Sequence, residues 1–234
     1  MRDTLSWLTL ALVLLFPQAN ADPGVASLLA AHAKGVGGDA LTAVRTRTTR
    51  GTFDNGRAQV PFTTYEKAPN KRLTVIGTQP IDSPAGSARG FDGRVGWDKN
   101  VIGTGLREVT GRELQDLARE ADWLSPAHPA DACVAPPTAA APGPGGEGVL
   151  RCDLGQGRTA TFFFSAGTGL LHRRDTDEGG RHRSAFFEDY RLIDGIRLPF
   201  ITRYVSGPST VSYAVSRVEH NAAIDDARFA KPKS

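Results

Sequence analysis

Tyr65-Glu-Lys-Ala-Pro-Asn-Lys-Arg-Leu-Thr-Val-Ile-Gly77 and, a little further on, Gly90-Phe-Asp-Gly-Arg-Val-Gly-Trp-Asp98 decide the fold. They read as a strand, a Pro-Asn corner, a second strand, and a hairpin turning at Asp92-Gly93 with Trp97 just beyond it. Pro69 has no N–H for a ladder and pushes Ala68 out of the α region, so the chain must turn at this corner.

The same alternation of strand and Gly-marked turn recurs on both sides. Upstream, Arg45 to Phe53 alternates with high Thr content, and Asp54-Asn55-Gly56 turns it into a strand ending near Lys67. Downstream come Val149–Leu154, Arg158–Phe164, Gly169–Asp175, Arg181–Leu192, Ile196–Val205 and Thr210–His220, separated by turn formers such as Glu178-Gly179-Gly180 and Asp194-Gly195. Links this short join antiparallel neighbours, because a parallel crossover needs about a dozen residues or more. The expected fold is mainly β (α+β), with about eleven strands in one antiparallel sheet. A sheet this large closes, packs on another, or curls around contents.

Helical spacing is confined to three places. Asp22 before Pro23 reads as a cap for a helix carrying Val25, Leu28, Leu29 and Ala33, with Gly35 as its stop, and a short helix can begin at Asp39. Thr110-Gly-Arg-Glu113 has the form of a capping box, and Leu114, Leu117, Ala118, Ala121 and Leu124 follow on one stripe. The opposite face carries Arg112, Asp116, Arg119 and Glu120, so this helix lies on the surface with its apolar side against the sheet.

Residues 1–21 read as a cleaved signal peptide: Leu5 to Phe16 is nearly all apolar, and Ala19-Asn20-Ala21 is a small-x-small cleavage site. The apolar run falls short of the ~20 residues a permanent span needs. The mature chain, 22–234, is expected to be one domain and a monomer, periplasmic or otherwise secreted, without a transmembrane segment. A formal charge of +3 and a pI near 9.0 are mild. They make no case for nucleic acid in an exported protein, and they permit attraction to an acidic lipid head group without requiring it. Cys133 and Cys152 are the only cysteines, and an even pair in an exported chain points to a disulfide. The Pro/Gly-rich segment 134–148 between them is expected to be a disordered loop.

No nucleophile elbow, phosphate loop or zinc helix motif occurs in the sequence. His172 and His182 flank a hairpin turning near Gly179, too far apart to share a metal, and His32, His128 and His220 stand alone. No catalytic residue, metal or cofactor is therefore assigned, and an enzyme is not expected. Arg45, Arg47 and Arg50 read as a solvated strand face or a charged edge.

Several pieces, in order along the chain, resemble the LolA-like family of periplasmic proteins, which includes the lipoprotein carrier of the outer-membrane sorting pathway. They are Lys34-Gly-Val-Gly-Gly-Asp-Ala-Leu41, Tyr65-Glu-Lys-Ala-Pro-Asn70, Phe91-Asp-Gly-Arg-Val-Gly-Trp97, Thr168-Gly-Leu-Leu171, the run Glu188 to Phe200 and Ile224-Asp-Asp-Ala-Arg-Phe229. The resemblance implies an incompletely closed barrel, a strongly curved sheet with helices as a lid over an apolar concave face that holds acyl chains. Alternation independently assigns Leu73, Val75, Phe162, Phe164, Leu198, Phe200 and Tyr213 to apolar strand rows and Leu114, Leu117 and Ala121 to the helix stripe. Together they are expected to line one apolar space that binds a lipid or other apolar ligand. The competing expectation is a filled core in an interaction or sensor module that meets another envelope protein.

Overall fold

Asp92 shows how the turns are made: its Oδ1 accepts the N–H groups of Arg94 and Val95 at 2.8 and 2.7 Å, and Gly93 takes φ 100° between them. The structure, a computed structural model, describes residues 23–83, 85–100 and 105–233. Residues 1–21, expected to be a leader, and Asp22, expected to be a cap, lie outside the described residues.

The helices are α1 (Pro23–Val36), α2 (Asp39–Ala43) and α3 (Gly111–Ala121). Six strands precede α3: β1 (Thr46–Asp54), β2 (Gln59–Lys67), β3 (Lys71–Ile76), β4 (Ser87–Phe91), β5 (Gly96–Asn100) and β6 (Gly105–Val109). Seven follow it: β7 (Thr138–Ala139), β8 (Gly148–Gly155), β9 (Arg158–Phe164), β10 (Leu171–Glu178), β11 (Arg181–Ile193), β12 (Ile196–Ser206) and β13 (Ser209–His220). All thirteen form one antiparallel sheet in the order β6-β5-β4-β3-β2-β1-β13-β12-β11-β10-β9-β8-β7, curved but not closed. Two meanders are thus joined through β1 and β13, and residues 110–137 carry the chain from one edge of the sheet to the other.

Two strands exceed the expected eleven. In β6, Gly105-Leu-Arg-Glu-Val, charge masks the alternation; β7 lies inside the 134–148 segment, where pairing of Thr138 with Arg151 and Ala139 with Leu150 imposes order that composition argued against. Cys133 and Cys152 are disulfide-bonded and fasten this segment to β8. The capping box is also corrected. Thr110 makes no side-chain cap bond, and the Glu113 carboxylate, which a capping box would return to the Thr110 N–H, is held instead by Arg107 at 2.7 and 2.8 Å, a charged fork that outcompetes that single bond.

Register assigns the faces. Residues directly opposite one another share a face, so the pairings Arg47–Glu66, Glu66–Arg72, Arg72–Phe91 and Phe91–Gly96 run along the face that α3 covers. Leu73 and Val75 alternate with Arg72 and Thr74 and therefore lie on the outer face, contrary to the expectation that they share a space with the helix stripe. There Leu73 is buried with Trp97, Ile224 and Phe229. Gly90 makes room for this contact, since a Cβ there would come within 2.4 Å of the indole, and Trp97 Nε1 donates to the carbonyl of Phe229 at 2.9 Å. The C-terminal segment supplies an apolar cover that alternation cannot announce.

Candidate functional site: the groove beneath α3

Helix α3 spans the curve of the sheet like a chord. Its stripe of Leu114, Leu117 and Ala121 packs on Phe91 of β4 and on Val109 at the end of β6. From its other side Asp116 pairs with Arg158 of β9 at 3.0 Å, and Arg112 reaches Gln156 at 3.0 Å and pairs with Glu178 of β10. Between these attachments lie the inner faces of β2, β1, β13, β12 and β11.

That inner surface is aromatic at its centre. Tyr213 has Phe53 at 4.9 Å, Phe62 at 5.2 Å and Tyr204 at 6.2 Å between ring centroids. Tyr204 remains 40% exposed, and beside it lies a cavity of about 310 Å³ with Val211 and Ala185 in its wall and Arg174, Arg183 and Glu120 among its charged lining. Such a volume sits at the lower end of small-molecule pockets, roughly 300–1,000 Å³. Desolvation pushes the phenols of Tyr204 and Tyr213 above their usual range, so both are neutral hydroxyls around pH 7.

Further along the same face is an ion-pair cluster. Arg47 Nε donates to Glu66 at 2.6 Å, Arg72 binds the other carboxylate oxygen, and the Arg47 guanidinium lies 5.1 Å from the ring centroid of Trp123. Burial works against the Glu66 charge, but Arg47 and Arg72 outweigh it and hold the carboxyl down at about 2. Arg47 is therefore not the solvated residue expected, because β1 is a central strand and Trp123 roofs it. Trp123 in turn donates from Nε1 to the Leu41 carbonyl at 2.9 Å, which anchors the end of the α3 segment on α2.

The sequence-derived ligand residues separate in space. Phe162 and Phe164 are packed with Val25, Leu150 and Leu171; Leu198 is packed with Val36, Leu41 and Trp123; Phe200 is buried with the Arg191 guanidinium 4.3 Å over its ring. Leu114, Leu117 and Ala121 form the helix seat, Leu73 and Val75 the outer cluster. Tyr213 alone among them sits in the aromatic centre of the groove. Tyr204 belongs to the apolar row of β12 that alternation identifies, while Arg174, Arg183 and Glu120 carry no motif. The Gly179-Gly180 turn was the available signal for the arginines, since it fixes the hairpin register and hence the face of each.

Two polar arrangements invite a chemical reading. On the outer face, Ser184 Oγ lies 3.2 Å from His182 Nε2, and His182 Nδ1 lies 3.4 Å from Asp177, the order of groups in an acyl-transfer triad. Ser184, however, donates its proton to Asp175 at 2.7 Å, and Arg173 holds that carboxylate at 2.9 Å, so the hydroxyl is committed to a carboxylate rather than to the imidazole. His32 is buried; its Nε2 is 3.0 Å from the Pro126 carbonyl, and its Nδ1 is 3.1 Å from the Gly169 carbonyl and 3.3 Å from the Leu171 nitrogen. Burial holds it below the usual imidazole range, as befits a clasp between α1, residue 126 and β10. Among the described residues no group of three or more His, Cys, Asp or Glu side chains is placed to hold a metal ion, and no helix is long and apolar enough to cross a membrane.

No family model matches the chain, and no curated protein matches it in sequence. Solved structures do share its fold. A LolA superfamily protein from Nitrosomonas europaea is similar with a TM-score of 0.56 at 12% identity, over 88% of this chain and 97% of that one. A putative outer membrane lipoprotein-sorting protein domain from Vibrio parahaemolyticus gives 0.59 at 10% identity, over 87% and 95%. A DUF1329 family protein from Desulfovibrio piger gives 0.55 at 14% identity, over 88% and 97%. At these identities the likeness is one of fold alone.

Proposed function

We propose that this protein is a non-enzymatic, extracytoplasmic binder or carrier of an apolar or amphipathic ligand, with lipid or acyl chains as the ligand class. The observation that carries the reading is the aromatic surface left open beneath α3, where Tyr204 is 40% exposed above Tyr213 and a cavity of about 310 Å³ adjoins it. An apolar face inside a concave sheet, roofed by a helix held at both flanks, suits a chain-like guest better than a flat partner. The names of the similar folds, a lipoprotein-sorting domain among them, agree with this class. Native mass spectrometry of the mature protein, followed by organic extraction, tests it. Co-purifying acyl species, or saturable binding of a fluorescent fatty acid, is the expected result. A protein that yields neither is not a lipid binder.

A second reading, an interaction or sensor module, is favoured by one observation: Phe162, Phe164, Leu198 and Phe200 are all at most 9% exposed, so much of the inner face is already filled. It predicts a stoichiometric protein partner recovered from envelope extracts, with binding indifferent to added lipid.

A further inference from the structure

The groove carries an unbalanced charge. On the β10–β11 hairpin Arg174 is opposite Ala185 and Thr176 is opposite Arg183, which makes Arg174 and Arg183 diagonal neighbours on the inner face. Both line the 310 Å³ cavity beside Tyr204, and neither guanidinium has an ion-pair or hydrogen-bond partner among the described residues. The adjacent Arg173 is a useful contrast. It points to the outer face, binds Asp175 at 2.9 Å and stacks 4.6 Å from the Phe163 ring centroid.

Two cations held at diagonal spacing repel each other, and Glu120, on α3, is the one carboxylate among the described residues lining the same cavity. The cavity lining therefore carries two positive charges and one negative charge, together with the apolar surface of Tyr204, Val211 and Ala185 and the hydroxyls of Thr176, Ser206 and Ser209. Guanidinium groups recognise carboxylate and phosphate through paired N–H donors, and an anion between Arg174 and Arg183 would relieve their repulsion.

We propose that Arg174 and Arg183 form the head-group site of an amphiphile bearing a carboxylate or a phosphate, with its hydrocarbon chain lying on Tyr204 and Val211 toward Tyr213. This rests on the binding reading above and adds to it the charge of the ligand and the direction in which it lies. Glu120 limits the attraction from the lid side, so Glu120→Gln strengthens binding of the same amphiphile.

Calorimetric titration of the mature protein with dodecanoate and with dodecanol, which share a chain and differ in head group, tests the proposal. Dodecanoate is expected to bind about tenfold more tightly or better, the order of one charge-assisted pair. In the Arg174→Gln/Arg183→Gln variant the affinity for dodecanoate falls to the level of dodecanol. Arg181→Gln, an exposed arginine on the same hairpin and outside the cavity lining, leaves the preference intact. Equal binding of the two ligands by the unmodified protein overturns the head-group site while leaving the groove reading in place. Binding of neither ligand is the failure of the groove reading itself. Dodecyl phosphate and inorganic phosphate separate the two sources of the anion. If phosphate alone binds as tightly as the alkyl ester, the arginines form a plain anion site and the amphiphile proposal fails.

Discussion

Phe164 on β9 and Tyr204 on β12 belong to the same inner face of the same sheet, yet Phe164 is 0% exposed and Tyr204 is 40% exposed. Over Phe164 lies α1, fixed by His32, whose ring meets the phenyl edge-on at 5.1 Å and whose nitrogens bond to the main chain on either side. Over Tyr204 lies the far end of α3, which is seated on Phe91 and Val109 and shows the groove only its polar side, Glu120. The strands alternate alike in both regions. What differs is which helix face looks down on them, and this divides the inner surface into a packed flank and an open span.

The largest expected effect comes from the packed flank. Phe164→Ala removes a fully buried ring from a cluster that includes Phe162, Leu150 and Val25 and should cost about 3–5 kcal/mol, read from the shift of a guanidinium unfolding midpoint. A loss below about 1 kcal/mol would mean that this flank also opens in solution, and the division would collapse.

Glu66→Gln comes next, because it leaves Arg47 buried beside a neutral group; breaking a buried pair costs about 3–5 kcal/mol, reduced here by the partial exposure of Arg72. The sign of its pH dependence follows from the depressed carboxyl. The pair stabilises the protein above the unfolded value near ~4.3, and this contribution is lost as pH falls through the folded value of about 2. Melting temperatures from pH 5 to pH 2 should therefore fall more steeply in the parent protein than in Glu66→Gln. Parallel curves would show that the cluster is solvated and that the floor between the two regions is softer than its geometry indicates.

Reduction of the Cys133–Cys152 bridge, which spans 19 residues of sequence, should cost roughly 3 kcal/mol by loop entropy. Because β7 is only two residues long and Cys152 is packed in the α1 flank, the loss should appear there first, as faster amide exchange in β7 and β8 while β12 and β13 are unchanged. Uniform acceleration across the sheet would show that flank and span unfold as one unit.

Much of this frame was legible in the sequence and part of it could not have been. Asp-Gly turns, alternation and helical spacing predict eleven of the thirteen strands described and a helix at each of the three observed places, whereas the curvature of the sheet is what the family resemblance implies. Leu73 lies on the face opposite to the one expected because apolar residues in β3 serve an outer cluster, and the cover for that cluster, Phe229 and Ile224, comes from the far end of the chain. Strand pattern reports that a residue needs cover; it does not say from which side cover will arrive. The groove itself was half legible. Alternation puts Tyr213 in an apolar row, and the structure sets it beside Tyr204, whereas Arg174, Arg183 and Glu120 are ordinary surface charges until register and the path of α3 bring them to one cavity.

The smallest expected change in stability is the most informative. Among the described residues Tyr204 has one neighbouring ring, Tyr213 at 6.2 Å, and much of its surface already meets solvent, so Tyr204→Ala should move the unfolding free energy by no more than about 1 kcal/mol. If the open span is where a hydrocarbon chain lies, the same change removes an aromatic wall from the bound state and should weaken dodecanoate binding by roughly tenfold, or ~1.4 kcal/mol. Stability and binding would then move independently, the reverse of Phe164→Ala, in which stability collapses and any loss of binding follows from unfolding. A Tyr204→Ala protein that loses several kcal/mol is one whose inner face is filled throughout, and the contrast between the two regions would then be one of degree. Unchanged stability together with unchanged affinity would leave the span open but place the ligand elsewhere. The combination of a stable fold and a weakened ligand is the one outcome that makes the exposed tyrosine a working surface, and it can be read from two titrations on a single variant.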